Sequence, residues 1–287
     1  MRVSILEPRG YCAGVTNAVN TALRAKREHL DEPVYVLGML VHNQEVIEQL
    51  KKEGLIFIDK KDLLKAAHEL PNKSVVVFTA HGHPHQIDVV AKNKEFVIYD
   101  AICPKVAQNI GLIKNALNEG HEVIYIGLRN HPEARAALAI SPNVYFYRIN
   151  EPFEYDDMKD NCPLVVNQTT LNYMELQDIH KDILNHLPQA KIENEICNAT
   201  RKRQDAIINL EQDVDCIIIV GDKKSSNANR LLEIAKNTHP QAECILVNSK
   251  EMIKENAYKN KNHIVIASSA STPYDSINAI YKYLISR

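Results

Sequence analysis

The chain has 287 residues, of which 45% are apolar, and its 34 basic side chains nearly balance 36 acidic ones. A net charge of −2 excludes a nucleic-acid binder that works through bulk positive charge, and the composition is that of a globular protein. With no apolar run of roughly 18 residues and no signal-peptide or transit-peptide pattern at the N-terminus, we expect a cytoplasmic protein without a membrane span.

Strand-like and helix-like segments alternate along the chain, and their order repeats three times. In the first repeat the strand RVSIL leads to Cys12 and a helix, the next strand ends in a loop with His42, and the last strand ends at His81. The second repeat begins with EFVIYD and Cys103, and the third with KIENEI and Cys197. Polar residues stand at matching offsets in these two repeats: His131 and Thr169, then Ser225, Asn227 and Ser271.

The strand segments are continuous runs rich in Val and Ile, a pattern typical of parallel strands covered on both faces. We predict an α/β protein of three similar modules with mostly parallel sheets, spanning residues 1–95, 96–190 and 191–287. Parallel sheets bind ligands at the carboxyl ends of their strands. A pseudo-threefold arrangement would therefore bring the polar loops and one cysteine of each module to a common centre.

The six cysteines divide into two groups by context. Cys12, Cys103 and Cys197 each stand at a strand-to-helix turn, and three thiolates at one centre fit either an iron–sulfur cluster with one open iron or a zinc ion with an open position. The other three lie in or beside strand-like runs and are predicted to be small buried hydrophobic residues: Cys162, Cys216 and Cys244.

Eight motifs extend this pattern over nearly the whole chain: PRGYCAGV, VHNQ, TAHG, DAICP, NHPE, NQTT, EICNATRKRQ and KKSSNANR. Together they resemble the 4-hydroxy-3-methylbut-2-enyl diphosphate reductase (LytB) family, from residue 3 to about residue 275. The resemblance implies an oxidoreductase that removes the hydroxyl of this diphosphate and yields isopentenyl and dimethylallyl diphosphates. This reaction is the last step of the methylerythritol phosphate route to isoprenoids.

The resemblance also implies the roles of individual residues. Glu133 is similar to the acid that delivers protons, with His131 beside it, and Thr169 to the residue that orients Glu133 and the substrate hydroxyl. A carboxyl group near a cluster, in a closed pocket with a bound diphosphate, is expected to resist ionisation and so to remain a proton donor near neutral pH. The implied cofactor is one [4Fe–4S] cluster per chain, whose open iron takes the substrate hydroxyl and whose three ligands are Cys12, Cys103 and Cys197. The implied diphosphate-binding set is His42, His81, Ser225, Ser226, Asn227 and Ser271.

The implied partners are the allylic diphosphate and reduced ferredoxin or flavodoxin as electron donor, with no nucleic acid or membrane, and we expect a monomer. One alternative is a paralogue that reduces a related allylic diphosphate, because Ser269 stands where the family usually has glycine and ARAALAI follows Glu133. A non-catalytic iron–sulfur sensor would not need Glu133 or Thr169. A zinc hydrolase with three cysteine ligands would be colourless.

Overall fold

The computed structural model describes residues 1–58, 62–193 and 196–287, whose strands form three parallel four-stranded sheets. The first sheet contains β2 (Val34–Leu37), β3 (Leu55–Ile58), β4 (Val75–Phe78) and β5 (Val97–Asp100). The second contains β6 (Val123–Gly127), β7 (Val144–Arg148), β8 (Leu164–Asn167) and β9 (Lys191–Ile192). The third contains β1 (Arg2–Ile5), β10 (Cys216–Val220), β11 (Glu243–Val247) and β12 (His263–Ser268).

Helices connect the strands. They are α1 (Ala13–Glu28), α2 (Gln44–Lys52), α3 (Leu63–Glu69), α4 (Gln86–Asn93), α5 (Pro104–Asn118), α6 (Pro132–Leu138), α7 (Tyr173–His186), α8 (Asn198–Ile208), α9 (Ser226–Thr238) and α10 (Tyr274–Ile285). Short 3-10 turns occupy Tyr155–Asp157, Lys250–Met252 and Glu255–Ala257. Within the described ranges, every helix is too short or too polar to cross a bilayer.

The three sheets share one strand order, which confirms the predicted fold of three parallel α/β modules. The orders are β3-β2-β4-β5, β7-β6-β8-β9 and β11-β10-β12-β1, and every pair is parallel. The last strand of each order is the one that precedes a cysteine in the chain. Of the run before Cys197, Asn194 and Glu195 lie outside the described residues.

Sheet membership is shifted by one strand from the three predicted stretches of sequence. The predicted boundaries near residues 95 and 190 fall just before β5 and β9, yet each of these strands completes the preceding sheet. In the same way, β1 pairs with β12 near the other end of the chain. A repeat establishes the period of a fold, but an edge strand can pair with either neighbouring module.

The central strands are covered on both faces, which explains the continuous apolar runs in the sequence. Every residue of β4, β10 and β12 is buried. In β10, Cys216, Ile218 and Val220 pack into a cluster with residues of α10, whereas Ile217 and Ile219 pack on the opposite face with residues of α9. Both faces therefore require apolar side chains.

The chain divides into two compact units. The terminal unit comprises Met1–Val15, His42–Val46 and Cys197–Arg287 and contains the third sheet. The middle unit comprises Thr16–Val41 and Ile47–Ile196 and contains the first two sheets.

Candidate active site

Three cysteines stand at helix N-termini, as the sequence predicts. Cys103 and Cys197 have extended backbone conformations and directly precede the first residues of α5 and α8, and Cys12 directly precedes α1. The Cys12 Sγ accepts a hydrogen bond from the backbone N–H of Val15 at 3.4 Å. None of the three forms a disulfide among the described residues, and all are partly buried.

The cysteines predicted to be structural have a different environment. Burial, together with the negative charge of Glu243, raises the pKa of the Cys216 thiol to about 12. Burial also raises the pKa of Cys244, which lies in the neighbouring strand β11. Both thiols are therefore neutral at physiological pH, which suits packing rather than metal binding.

In the middle unit, Glu133 lies at the centre of a polar group. Its carboxylate accepts hydrogen bonds from the backbone N–H of Thr169 at Oε2 and from the Thr169 hydroxyl at Oε1, both at 2.9 Å. The His81 Nδ1 lies 3.9 Å from Oε1, and the His81 and His131 rings meet edge to face at 5.8 Å. Cys103 adjoins this group, because its N–H donates to the carbonyl of Ala80.

The surroundings of Glu133 determine its charge state in the ligand-free protein. Burial alone would raise the pKa of Glu133, but the His81 imidazole, His131 and the Thr169 N–H together lower it below its ordinary value. Burial lowers the pKa of His131 to about 4, although the nearby Glu133 opposes this shift. In the ligand-free protein a Glu133 carboxylate therefore stands beside the neutral His131 imidazole. The expectation that Glu133 resists ionisation concerns the site with cluster and diphosphate bound, and it stays a prediction.

His131 also has a structural task. Its Nδ1 accepts the backbone N–H of Glu133 at 3.3 Å, so the ring caps the N-terminus of α6. This contact requires the neutral ring to carry its proton on Nε2. The side chain thus holds the first turn of α6 in a conformation that directs Glu133 inward.

In the terminal unit, the N-terminus of α9 presents a buried polar loop. Ser225 is the N-cap, and its Oγ accepts the backbone N–H of Ala228 at 3.2 Å. Ser226 opens the helix, and Asn227 is only 4% exposed. Neither polar atom of the Asn227 side chain has a hydrogen-bond partner among the described residues. A buried amide of this kind is costly in a folded protein unless a ligand satisfies it.

The loops that carry His42 and Ser271 in the terminal unit are hydrogen-bonded to each other. The Ser271 hydroxyl donates to the carbonyl of His42 at 3.0 Å, and the Asn43 amide donates to the carbonyl of Ser271 at 2.9 Å. Asn43 also caps α2 through the N–H of Val46. Ser269 is fully buried behind this contact, with its Oγ 3.4 Å from the Ser271 Oγ. Ser269 therefore supports Ser271.

Asp222 connects these loops to α9, and the sequence analysis missed it. One carboxylate oxygen accepts the N–H of Gln44 at 2.9 Å and the other accepts the N–H of Lys224 at 2.8 Å, while its carbonyl accepts the N–H of Ser225. In the sequence, an aspartate directly after a strand could have indicated a role for Asp222. Its partner Gln44, however, lies far away in sequence. The predicted residues brought together in this way are His42, Ser225, Ser226, Asn227 and Ser271.

Arg203 is the second residue that the sequence analysis missed. It lies in α8 and is 4% exposed, and its guanidinium contacts three backbone carbonyls in the terminal unit. In the sequence, only its position within the motif EICNATRKRQ could have indicated a role for Arg203.

A model of the LytB protein family matches residues 3–285. A relative from Symbiobacterium thermophilum named 4-hydroxy-3-methylbut-2-enyl diphosphate reductase is 36% identical over 287 aligned residues, covering 99% of this chain and 97% of the relative. A relative of the same name from Halalkalibacterium halodurans is 34% identical over 95% of this chain and 87% of the relative.

Two solved structures share the fold. The reductase from Plasmodium falciparum matches with a TM-score of 0.89 and 28% identity, over 98% of this chain and 87% of that one. A second reductase, described as the terminal enzyme of the non-mevalonate pathway, matches with a TM-score of 0.69 and 27% identity over the full length of both chains. The chain therefore belongs to the LytB family of iron–sulfur oxidoreductases, the 4-hydroxy-3-methylbut-2-enyl diphosphate reductases.

Proposed function

We propose that this chain converts 4-hydroxy-3-methylbut-2-enyl diphosphate into isopentenyl diphosphate and dimethylallyl diphosphate. The carbon–oxygen bond breaks, two electrons and two protons are consumed, and the hydroxyl leaves as water. The observation that carries the proposal is the buried Glu133 carboxylate, held by two hydrogen bonds from Thr169. A sensor or an electron carrier has no use for a buried, positioned carboxyl group that can take up and deliver a proton.

We propose one [4Fe–4S] cluster per chain, with three ligands: Cys12, Cys103 and Cys197. The donor set supports this choice, since each thiol lies at a helix N-terminus and is accessible enough to bind metal. When bound, such a cluster supplies electrons and an open iron that acts as a Lewis acid toward the hydroxyl.

The diphosphate-binding set is proposed to be His42, His81, Ser225, Ser226, Asn227 and Ser271. The α9 N-terminus favours an anion through its exposed N–H groups and its dipole. A phosphate oxygen would accept a hydrogen bond from the Asn227 amide, which has no other partner among the described residues. Hydrogen bonds of this kind can hold a diphosphate without an arginine-rich surface.

Glu133 is proposed to be the proton donor, with Thr169 orienting both the carboxyl group and the substrate hydroxyl. Because Glu133 is ionised in the ligand-free protein, it must gain a proton before it can deliver one. A bound diphosphate brings negative charge that raises the pKa of a nearby carboxyl group. His131, whose pKa lies at about 4, is neutral at physiological pH and serves to position Glu133.

The remaining parts of the proposal concern cellular context. The electron donor is proposed to be reduced ferredoxin or flavodoxin, and the protein to be a cytoplasmic monomer. Its three sequence modules are proposed to span residues 1–95, 96–190 and 191–287.

The test is a product assay under anaerobic conditions, with reconstituted protein, a chemical reductant and 4-hydroxy-3-methylbut-2-enyl diphosphate. We expect both isoprenoid diphosphates to form from a brown protein. A brown protein that forms neither product would support the sensor, and a colourless protein that only hydrolyses the substrate would support the zinc enzyme. Faster turnover of another allylic diphosphate would support the paralogue.

A further inference from the structure

Arg203 connects three segments of the terminal unit. Its Nη2 donates to the carbonyl of Gly10 at 2.7 Å, its Nε to the carbonyl of Ser268 at 3.2 Å, and its Nη1 to the carbonyl of Ala199 at 3.0 Å. Gly10 lies in the loop that leads to Cys12. Ala199 lies two residues after Cys197, in the first turn of α8. One side chain therefore determines the position of the backbone beside two of the three proposed cluster ligands.

Among the described residues, no carboxylate serves as a counter-ion for Arg203. Its hydrogen-bond acceptors are neutral carbonyls, and no carboxylate of the described residues lies within ion-pair distance of its guanidinium. Burial lowers the pKa of Arg203, whereas negative charge on Cys12 and Cys197 opposes this shift more strongly than Tyr274 or Glu7 does. Since a buried cation without an anion is unfavourable, the partner that fits this position is a group bound to the two thiolates.

We infer that Arg203 is a positioning residue that holds the Cys12 loop and the start of α8 in place and supplies the buried positive charge facing the anionic cluster. The inference rests on the proposed assignment of these cysteines as ligands. A fixed positive charge favours the more negative, reduced form of a cluster and so raises its reduction potential. The planar fork of arginine can donate to three carbonyls at once, which a lysine cannot reproduce.

The test compares Arg203→Gln and Arg203→Lys with matched substitutions of Arg201, which lies on the same helix and pairs with Asp205 near the surface. The measurements are the midpoint potential of the anaerobically reconstituted protein and the rate at which a chelator removes iron. Arg203→Gln should shift the potential to a more negative value, by clearly more than Arg201→Gln does. Arg203→Lys keeps the charge and should keep the potential, but it should lose iron several-fold faster than Arg201→Lys.

Equal potentials in Arg203→Gln and Arg201→Gln would overturn the inference. If Arg203→Gln does not fold, the chelator experiment on the two lysine variants decides, and equal rates of iron loss would overturn it. A failure of the proposed function looks different, because the unsubstituted protein would then bind no cluster, or would bind one after loss of Cys12 or Cys197. The apo proteins, compared by circular dichroism, show whether a variant is folded.

Discussion

At the scale of single residues, the charge of Glu133 is the property that the sequence could not supply. The motif NHPE points to Glu133 as the proposed acid, but the pKa of Glu133 depends on His81 and Thr169, which lie far away in sequence and reach it only through the fold. The sequence alone therefore could not predict that Glu133 is ionised in the ligand-free protein. Glu133 can act as an acid once the negative charge of a bound substrate has raised its pKa and the carboxylate has taken up a proton.

Replacing Glu133 by Gln tests its role as proton donor. The amide keeps the size of the side chain and can hydrogen-bond to Thr169, but it cannot deliver a proton. We expect turnover to fall by a factor on the order of 10² or more, while iron content and substrate affinity stay near those of the parent. Glu151→Gln, which alters only surface ion pairs with Arg129 and Arg148, is the control. Near-parental turnover in Glu133→Gln would remove Glu133 from the reaction.

From the lowered pKa of His131, we predict that the stability of the protein depends on pH. Because its pKa falls from 6.5 to about 4 on folding, the unfolded chain binds more protons between these values, and the free energy of unfolding decreases as the pH falls through this window. Between pH 7 and pH 5 this residue accounts for a loss of about 2 kcal/mol. Urea unfolding of the ligand-free protein should show a smaller loss in His131→Asn than in His186→Asn, a variant at an exposed site. An equal loss in the two variants would contradict the assigned pKa.

At the scale of elements, the sequence predicted the strands and the helix starts well. Runs of Val and Ile marked the buried strands, and the cysteines marked the beginnings of α1, α5 and α8. The sequence did not predict which sheet β1, β5 and β9 would join, because strand pairing depends on contacts distant in sequence. It also missed Asp222, whose role depends on the N–H of Gln44.

Asn227, at the N-terminus of α9, is proposed to bind the diphosphate, and its buried amide lowers the stability of the ligand-free protein. In Asn227→Ala, substrate and product should both bind roughly 10- to 100-fold more weakly, because the diphosphate is the same in each and loses one charge-assisted hydrogen bond. The ligand-free protein should be at least as stable as the parent, since a buried amide without a partner among the described residues is removed. Calorimetry measures the affinity for substrate and product, and urea unfolding measures the stability of the ligand-free protein. Asn237→Ala, at the exposed far end of α9, should change neither. Unaltered affinity in Asn227→Ala would place the diphosphate elsewhere.

Two glycines should respond in opposite ways to alanine. A Cβ at Gly221 would lie 2.8 Å from the Cβ of Ala228 and 3.1 Å from that of Ser269, so we expect Gly221→Ala to lower the free energy of unfolding by about 1–3 kcal/mol. A Cβ at Gly111, within α5, meets no described atom within 4 Å. Gly111→Ala should therefore raise the free energy of unfolding by about 0.5–1 kcal/mol. Thermal and urea unfolding of both variants check the pair. A stabilised Gly221→Ala protein would contradict the packing between β10 and α9.

At the scale of the whole molecule, the sequence predicted the fold class and the enzyme family together. The three repeats became three sheets with one strand order, and the predicted site residues other than the cysteines fall into one polar group in each compact unit. The terminal unit presents the polar loops proposed for the diphosphate, and the middle unit presents the acid. The sequence could not identify Arg203 as a buried cation, because its environment is formed by Gly10, Ala199 and Ser268 from separate segments.

The most direct test of the account is the iron content of single cysteine variants after anaerobic reconstitution. We expect about four irons per chain in the unsubstituted protein and in Cys216→Ser, whose buried thiol is neutral and serves packing. Cys12→Ser, Cys103→Ser and Cys197→Ser should each lose most of the iron, and all turnover of the diphosphate with it. If Cys216→Ser lost its iron while Cys103→Ser kept it, the assignment of the cluster, and with it the proposed reaction, would be contradicted.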